Sequence, residues 1–238
     1  MAENQPRTQP SVEVIKLYNK GNAAGVLHNF VEAFECYLSA ANQGYAPAQC
    51  NLAYCYEKGH GVALNYKKAL DYYQKAVKQG YLPAICNLGW CYESGCGVEQ
   101  DLEKAVAYYS KAAKEGYAPA QSNLGFCYEN GSGTTKDINQ AFELYKAAAA
   151  QGNASAQFSL GGCYEFGKGT EQDFVKAVEW YKKSAEHGYA PAQNCLGVCY
   201  ENGNGVPKNL LVASEWYTVA VAQGYTVAKK NLDNLKKK

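Results

Sequence analysis

The sequence has 238 residues, with 23 basic and 22 acidic side chains and a net charge of +1. This near-neutral balance gives no electrostatic basis for binding nucleic acid or an anionic membrane surface. No stretch approaches the roughly 18 apolar residues of a membrane span, and residues 1–14 lack the pattern of a signal peptide. We therefore expect a cytoplasmic protein, not inserted in a membrane, whose ten cysteines are reduced.

The first part of the chain is predicted to contain a short tail and an irregular helical pair. Residues 1–9 are expected to be a disordered tail. Residues 10–43 resemble a degenerate copy of the units that follow, because FVEAFECYLSAANQG matches their second helix while the loop after LYNKG is two residues longer. Such divergence is typical of a terminal capping repeat, so we predict an N-terminal cap here.

The next 180 residues repeat with a period of 36 and contain no insertion. A fixed period between about 20 and 50 residues is the signature of a repeat solenoid. The five predicted repeats are 44–79, 80–115, 116–151, 152–187 and 188–223. One cysteine recurs in each of them, as Cys55, Cys91, Cys127, Cys163 and Cys199.

Each repeat is predicted to contain two helices, A and B. The apolar residues Ala48, Leu52, Cys55 and Tyr56 follow helical spacing and define one face of helix A, which a pair of glycines ends. An Asn or Asp, such as Asn65, then begins helix B. Glycines inside helix A cost roughly 1 kcal/mol each relative to alanine, so they indicate a close helix crossing. These central glycines are Gly89, Gly125, Gly161 and Gly197.

The consensus LGxCYExGxGVxxDxxKAxxYYxKAAxxGYAPAQ resembles the Sel-one-like repeat (SLR), a relative of the tetratricopeptide repeat. The resemblance covers residues 44–223 and implies an all-α fold, a right-handed α-solenoid of stacked helix hairpins. Relatives of this repeat act as adaptors in protein quality control, signalling and the regulation of cell-wall synthesis. Residues 224–238 keep Val227, Ala228, Leu232 and Leu235 on the helix A pattern, and we predict a C-terminal capping helix there.

The run Cys86, Cys91, Cys96 has even spacing that invites a metal-site interpretation. Cys86 and Cys91 are separated by about 140° around one helix, so they cannot both face one metal ion. We expect Cys91 to be a small buried apolar group and Cys96 to lie exposed in a turn. We predict no metal ligand, no cofactor and no disulfide.

Catalytic motifs are also weak. Gly162, Gly167 and Lys168 approach a phosphate-binding loop, but Gly169 occupies the position of the required Ser or Thr. The three histidines, His28, His60 and His187, have no Ser or Asp partner at a repeated offset. We predict no enzyme activity. The alternative is an enzyme that binds a small amide-like substrate in the groove, because secreted cysteine-rich relatives have been linked to penicillin binding; their paired cysteines and a Ser-x-x-Lys motif are absent here.

A second face of helix A is predicted to line a concave groove. The apolar stripe centres near 40° and the remaining positions near 220°, directly opposite. The predicted groove residues are Cys50, Tyr54, Glu57, Cys86, Trp90, Glu93, Ser122, Phe126, Glu129, Phe158, Glu165, Phe166, Asn194, Val198 and Glu201. The row of Tyr54, Trp90 and Phe126 stops at Gly162, which Phe158 and Phe166 flank.

Exposed aromatic residues are typical interface anchors, so we expect a non-catalytic, monomeric adaptor that binds partner proteins or peptides. Two alternatives stay open at this point. The aromatic residues could instead fill the tight inner side of the curve. The glutamate column belongs to the repeat pattern and is first interpreted as structural, although unpaired members would favour a basic partner.

Overall fold

The computed structural model describes residues 10–237, and this range contains thirteen α-helices and no strand. The tail predicted for residues 1–9 lies outside it. Two compact units divide the chain, Met1–Glu115 and Gly116–Lys238. The helices are α1 Val12–Val26, α2 Phe30–Asn42, α3 Ala46–Lys58, α4 Tyr66–Lys78, α5 Leu82–Ser94, α6 Leu102–Lys114, α7 Ala118–Asn130, α8 Ile138–Ala150, α9 Ala154–Phe166, α10 Phe174–Glu186, α11 Ala190–Asn202, α12 Leu210–Ala222 and α13 Thr226–Leu235.

The odd-numbered helices α3 to α11 are the predicted A helices, and each begins and ends where local chemistry requires. Four have proline in the first turn, where an absent N–H is tolerated. In α9 the side chain of Asn153 takes over and accepts from the N–H of Ala156. Each helix ends at a left-handed glycine, such as Gly59 with φ of 71°.

The even-numbered helices α4 to α12 are the predicted B helices, and the predicted capping column is confirmed. In each, the side chain before the first turn accepts a hydrogen bond from a free backbone N–H. The capping residues are Asn65, Asp101, Asp137, Asp173 and Asn209.

The close crossing inferred from the central glycines is present in the hairpins. A Cβ placed on Gly161 would lie 2.6 Å from Cδ1 of Tyr181, so the tyrosine ring packs directly on the helix backbone. Gly89, Gly125 and Gly197 meet the equivalent tyrosines in the same way. These tyrosines are among the largest fully buried side chains of the structure, namely Tyr73, Tyr109, Tyr145, Tyr181 and Tyr217.

The second glycine of each loop sets the contact between consecutive hairpins. A Cβ on Gly205 would lie only 2.1 Å from the carbonyl oxygen of Phe174, the first residue of the preceding B helix. Gly61 approaches the carbonyl of Phe30 equally closely. Side chains are excluded at both positions, so the loop rests on the main chain of its neighbour.

The two ends of the described chain carry the remaining helices. Helices α1 and α2 form a hairpin whose Gly21 faces the ring of Tyr37, as in the later repeats. At the other end, α13 buries Ala228, Leu232 and Leu235 against α12 and leaves Asp233 exposed. Val227 was expected on the apolar side but is 49 % exposed. Of the described helices, none has the length and apolar character needed to cross a membrane.

Candidate functional site

The glutamate column has a structural partner that the sequence did not reveal. In each repeat the buried tyrosine of helix B donates its hydroxyl to the glutamate of helix A, sixteen residues earlier, at 2.5 to 2.9 Å. The pairs are Tyr73–Glu57, Tyr109–Glu93, Tyr145–Glu129, Tyr181–Glu165 and Tyr217–Glu201. Each glutamate therefore uses one carboxylate oxygen to hold its hairpin together.

Five of the predicted groove residues are buried, which corrects the expectation that this whole face is spared from packing. They are Cys50, Glu57, Cys86, Ser122 and Asn194. The reason is visible at two of them, because Asn87 donates to Sγ of Cys50 at 3.6 Å and Asn231 donates to Oδ1 of Asn194 at 2.9 Å. These positions face the next A-type helix of the stack, a contact that an angular argument about one hairpin does not include.

The other predicted positions are accessible to different degrees. Tyr54, Phe126 and Phe166 are 45 %, 52 % and 65 % exposed, so these rings do not fill an interior. The half-buried positions are Trp90, Glu93, Glu129, Phe158, Glu165, Val198 and Glu201. Because Tyr54 and Trp90 belong to the first unit and Phe126 to the second, the continuous row of three rings stays a prediction.

In the first unit, a lysine lies between two aromatic rings of the predicted groove. Nζ of Lys58 is 5.6 Å from the ring centroid of Tyr54 and 5.0 Å from that of Trp90. The same ammonium contacts Oε1 of Glu57 at 2.7 Å, and this hydrogen bond raises the pKa of Lys58. The sequence analysis did not identify Lys58, whose position directly after the glutamate is the only signal.

In the second unit, the helix A face opens into a cleft of about 580 Å³. Six residues that the sequence assigns to the groove line it, together with Gly162, which interrupts the aromatic row. The lining residues are Ser122, Asn123, Phe126, Glu129, Tyr145, Ser155, Phe158, Ser159, Gly162, Glu165, Phe166, Lys168, Tyr181, Tyr189 and Cys195. The cleft therefore combines exposed rings with hydroxyl, amide and carboxylate groups.

The aromatic residues of this cleft differ in how firmly they are held. The ring of Phe158 packs against Tyr181 and Tyr189, with centroids 5.7 Å and 5.4 Å apart. Phe126 and Phe166 are both more than half exposed. A fixed wall and two accessible rings are the geometry that an apolar side chain of a partner can use.

The two glutamates of the cleft are not equivalent. Glu129 accepts from Tyr145 at 2.9 Å and is neutralised by Nζ of Lys168 at 2.6 Å. Glu165 accepts from Tyr181, and no cation within residues 10–237 forms an ion pair with it. Burial, with Glu165 adding to it, raises the pKa of Tyr181, so this tyrosine stays a hydrogen-bond donor. Lys168 entered the sequence analysis only through its resemblance to a phosphate-binding loop.

The cysteines do not assemble a reactive centre. All ten lie in the described chain as thiols, and eight are buried. Burial raises the pKa of Cys55 to about 11 and that of Cys91, Cys163 and Cys199 to about 12. Cys96, expected to be exposed, is half-buried. Residues 10–237 contain no group of three or more His, Cys, Asp or Glu side chains arranged to hold a metal ion.

Stacked helix hairpins of constant length, with capped helices and a groove on the A face, define an α-solenoid repeat protein. The family model of the Sel1 repeat matches residues 16–45, 46–81, 82–117, 118–153, 154–189 and 190–225. The chain therefore belongs to the Sel1 repeat family, as its consensus predicted. The first matched segment falls within the region that we predicted to be degenerate.

Solved structures support the same assignment. The chain is similar to a Sel1 repeat protein from Oxalobacter formigenes, with 32 % identity, a TM-score of 0.77 and coverage of 91 % of this chain and 86 % of that one. It is also similar to a protective antigen of uropathogenic Escherichia coli strains that displays an SLR fold, with 34 % identity, a TM-score of 0.69 and coverage of 92 % and 48 %.

An immunity protein from Pseudomonas aeruginosa shares the fold at 23 % identity and a TM-score of 0.67, with 90 % and 83 % coverage. No curated protein matches the chain at a significant level. These likenesses establish the α-solenoid fold and the repeat family of the chain.

Proposed function

We propose that this protein is a non-catalytic adaptor that binds a partner protein or peptide through the accessible residues of the A-helix face. Sel1 repeats commonly serve as protein-interaction scaffolds. The observation that carries the proposal is the cleft of the second unit, where Phe126 and Phe166 line the opening while more than half exposed. Aromatic anchors beside polar groups are typical of interfaces that bind other proteins.

The proposal also includes a location and an assembly state. The cysteines are thiols, and eight of the ten are buried, which suits the reducing cytoplasm. The protein is proposed to act there as a monomer that presents its groove to partners. No cofactor is part of this function.

The experiment is affinity capture with the wild-type protein and with a Trp90→Ala, Phe126→Ala double variant, followed by mass spectrometry. Leu211→Ala is the matched control, because this residue is also apolar and 71 % exposed but lies outside the cleft. We expect the control to retain the partners and the double variant to lose them. Identical partner sets for all three proteins would contradict the proposal.

A captured partner then allows a quantitative measurement. Truncation of Trp90 alone should weaken binding by about 2 kcal/mol, roughly thirtyfold in Kd, as for an aromatic anchor. Calorimetry measures the affinity, and thermal denaturation shows whether the fold is retained. A large loss of stability with unchanged affinity would assign Trp90 to packing and contradict its role in binding.

A further inference from the structure

We propose that the cleft of the second unit selects a peptide segment that places a large apolar side chain beside Gly162 and a lysine or arginine against Glu165. This inference rests on the proposed function and specifies the partner of the same surface. It assigns different tasks to neighbouring residues of one helix, α9.

The first step is the gap at Gly162. The equivalent positions of the other repeats carry the side chains of Tyr54, Trp90, Phe126 and Val198. At Gly162, an added Cβ would meet one neighbouring atom within 4 Å, the hydroxyl oxygen of Tyr181 at 3.7 Å. No neighbouring side chain has moved in to replace the missing one, so the space beside α9 stays open to a ligand.

The second step is the apolar lining of that space. Phe158 and Phe166 lie four residues before and after Gly162 and therefore share its face of the helix. Both line the cleft, and Phe166 is 65 % exposed. An incoming aliphatic or aromatic side chain would cover these rings and gain the free energy of removing apolar surface from water.

The third step is the charge of the cleft. Its charged lining side chains are Glu129, Glu165 and Lys168, so it carries one net negative charge. Lys168 is engaged by Glu129 at 2.6 Å. The residue that lies one repeat after Lys168 is Asn204, and so Glu165 has no lysine at the corresponding position. The carboxylate of Glu165 therefore attracts a cation from the partner.

The fourth step is spacing. Gly162 and Glu165 are three residues apart on one helix, which places these positions about 5–6 Å from each other. An extended peptide advances about 3.3 Å per residue, and alternate side chains point the same way. An apolar residue and a basic residue two positions apart, separated by about 6.6 Å, therefore match the two subsites.

The experiment uses two matched peptide libraries. Both vary one position among Leu, Ile, Met and Phe; two residues later, one library has lysine and the other acetyl-lysine, which keeps the length but removes the charge. Fluorescence anisotropy measures binding to the wild type and to Glu165→Gln, a variant that still accepts the hydrogen bond of Tyr181. Glu93→Gln is the control, because Glu93 holds the same column position outside the cleft.

We expect the wild type and Glu93→Gln to prefer lysine by about tenfold or more, and Glu165→Gln to reduce this preference to less than about threefold. Gly162→Phe, which restores the ring found in the neighbouring repeat, should weaken both libraries by about tenfold while the circular dichroism spectrum is retained. Equal binding of both libraries to the wild type would overturn the inference but leave the proposed function intact. Absence of binding by either library, in a protein whose captured partners depend on Phe126, would also overturn the inference alone; absence of both would overturn the two together.

Discussion

The hydroxyl of Tyr73 donates a hydrogen bond of 2.8 Å to Oε2 of Glu57, a carboxylate that is only 6 % exposed. The other oxygen of Glu57 contacts Lys58 at 2.7 Å. Both oxygens of a buried charge are thus satisfied, by one group from helix B and one from helix A. The hydrogen bond joins the two helices of the hairpin at a point that apolar packing alone would leave unspecified.

Removal of this hydroxyl should destabilise the first unit. We expect Tyr73→Phe to lower the free energy of unfolding by about 1–3 kcal/mol, because a buried acceptor loses its donor. Urea denaturation followed by circular dichroism measures the change. The control is Tyr72→Phe, whose ring stacks on Tyr56 and whose change should stay within about 0.5 kcal/mol. Equal losses in the two variants would contradict a structural role for the pair.

The buried tyrosines should make the protein sensitive to alkaline pH. Burial is the largest cause that raises the pKa of Tyr73, Tyr145, Tyr181 and Tyr217 above the ordinary value of 10.0. In the unfolded chain these groups ionise near pH 10, whereas in the folded protein they keep their protons. Their stabilisation is therefore complete below about pH 10 and decreases above it, by about 1.4 kcal/mol per pH unit for each tyrosine.

Absorbance at the tyrosinate band, recorded together with circular dichroism, tests this expectation. Of the 21 tyrosines, the exposed ones should ionise near their ordinary pKa, and the buried ones only when helicity is lost. A single titration of all tyrosines with intact helicity would show that the hydroxyl groups are accessible in the folded state.

Thiol reactivity should separate Cys96 from the buried column. The thiolate is the reactive form, and burial raises the pKa of Cys91 and Cys163 to about 12. Half-buried Cys96 should react quickly with a thiol reagent near pH 8, while the column reacts only on unfolding. Peptide mapping identifies the labelled site, and Cys96→Ser should abolish the fast phase. Rapid labelling of Cys163 in the folded protein would contradict the prediction.

Two glycines with similar backbone angles should tolerate alanine very differently. Gly205 and Gly188 have φ of 70° and 81°, but a Cβ would meet a carbonyl oxygen at 2.1 Å in the first and no atom within 4 Å in the second. Gly188→Ala should cost only the strain of the left-handed conformation, about 1–2 kcal/mol. Gly205→Ala adds the clash and should cost at least about 3 kcal/mol in denaturant unfolding. Equal costs would mean that the loop can move away from Phe174.

Removal of the last helix should affect its neighbours first. Leu232 and Leu235 pack in one cluster with Tyr217, so deletion of residues 226–238 exposes the apolar side of α12. We expect faster hydrogen exchange in α11 and α12 and retained protection in α7 and α8, because repeats contact mainly their neighbours. Asp233→Ser, on the exposed side of α13, is the control. A uniform loss of protection throughout the second unit would contradict nearest-neighbour stabilisation.

The sequence predicts the hairpins well because their determinants are local. The cap at Asn65 and the terminal glycine at Gly59 act within one turn of their own helices, and both are present. The Tyr73–Glu57 bond joins residues sixteen positions apart on different helices, and no local pattern distinguishes it from an exposed glutamate. Cys50 was wrongly expected to face a groove because its environment depends on the following hairpin, where Asn87 contacts it.

The glycine that lies against the preceding B helix has a consequence for how such a protein changes. Gly97 would place a Cβ 2.7 Å from the carbonyl oxygen of Tyr66, and Gly169 would place one 2.9 Å from that of Ile138. Since these contacts involve the main chain of the neighbour, they do not depend on its side-chain identity. Duplication or exchange of a whole 36-residue segment therefore preserves the distance between hairpins. Recognition residues such as those at 162 and 165 are free to diversify, and new binding specificity can arise by recombination of intact repeats.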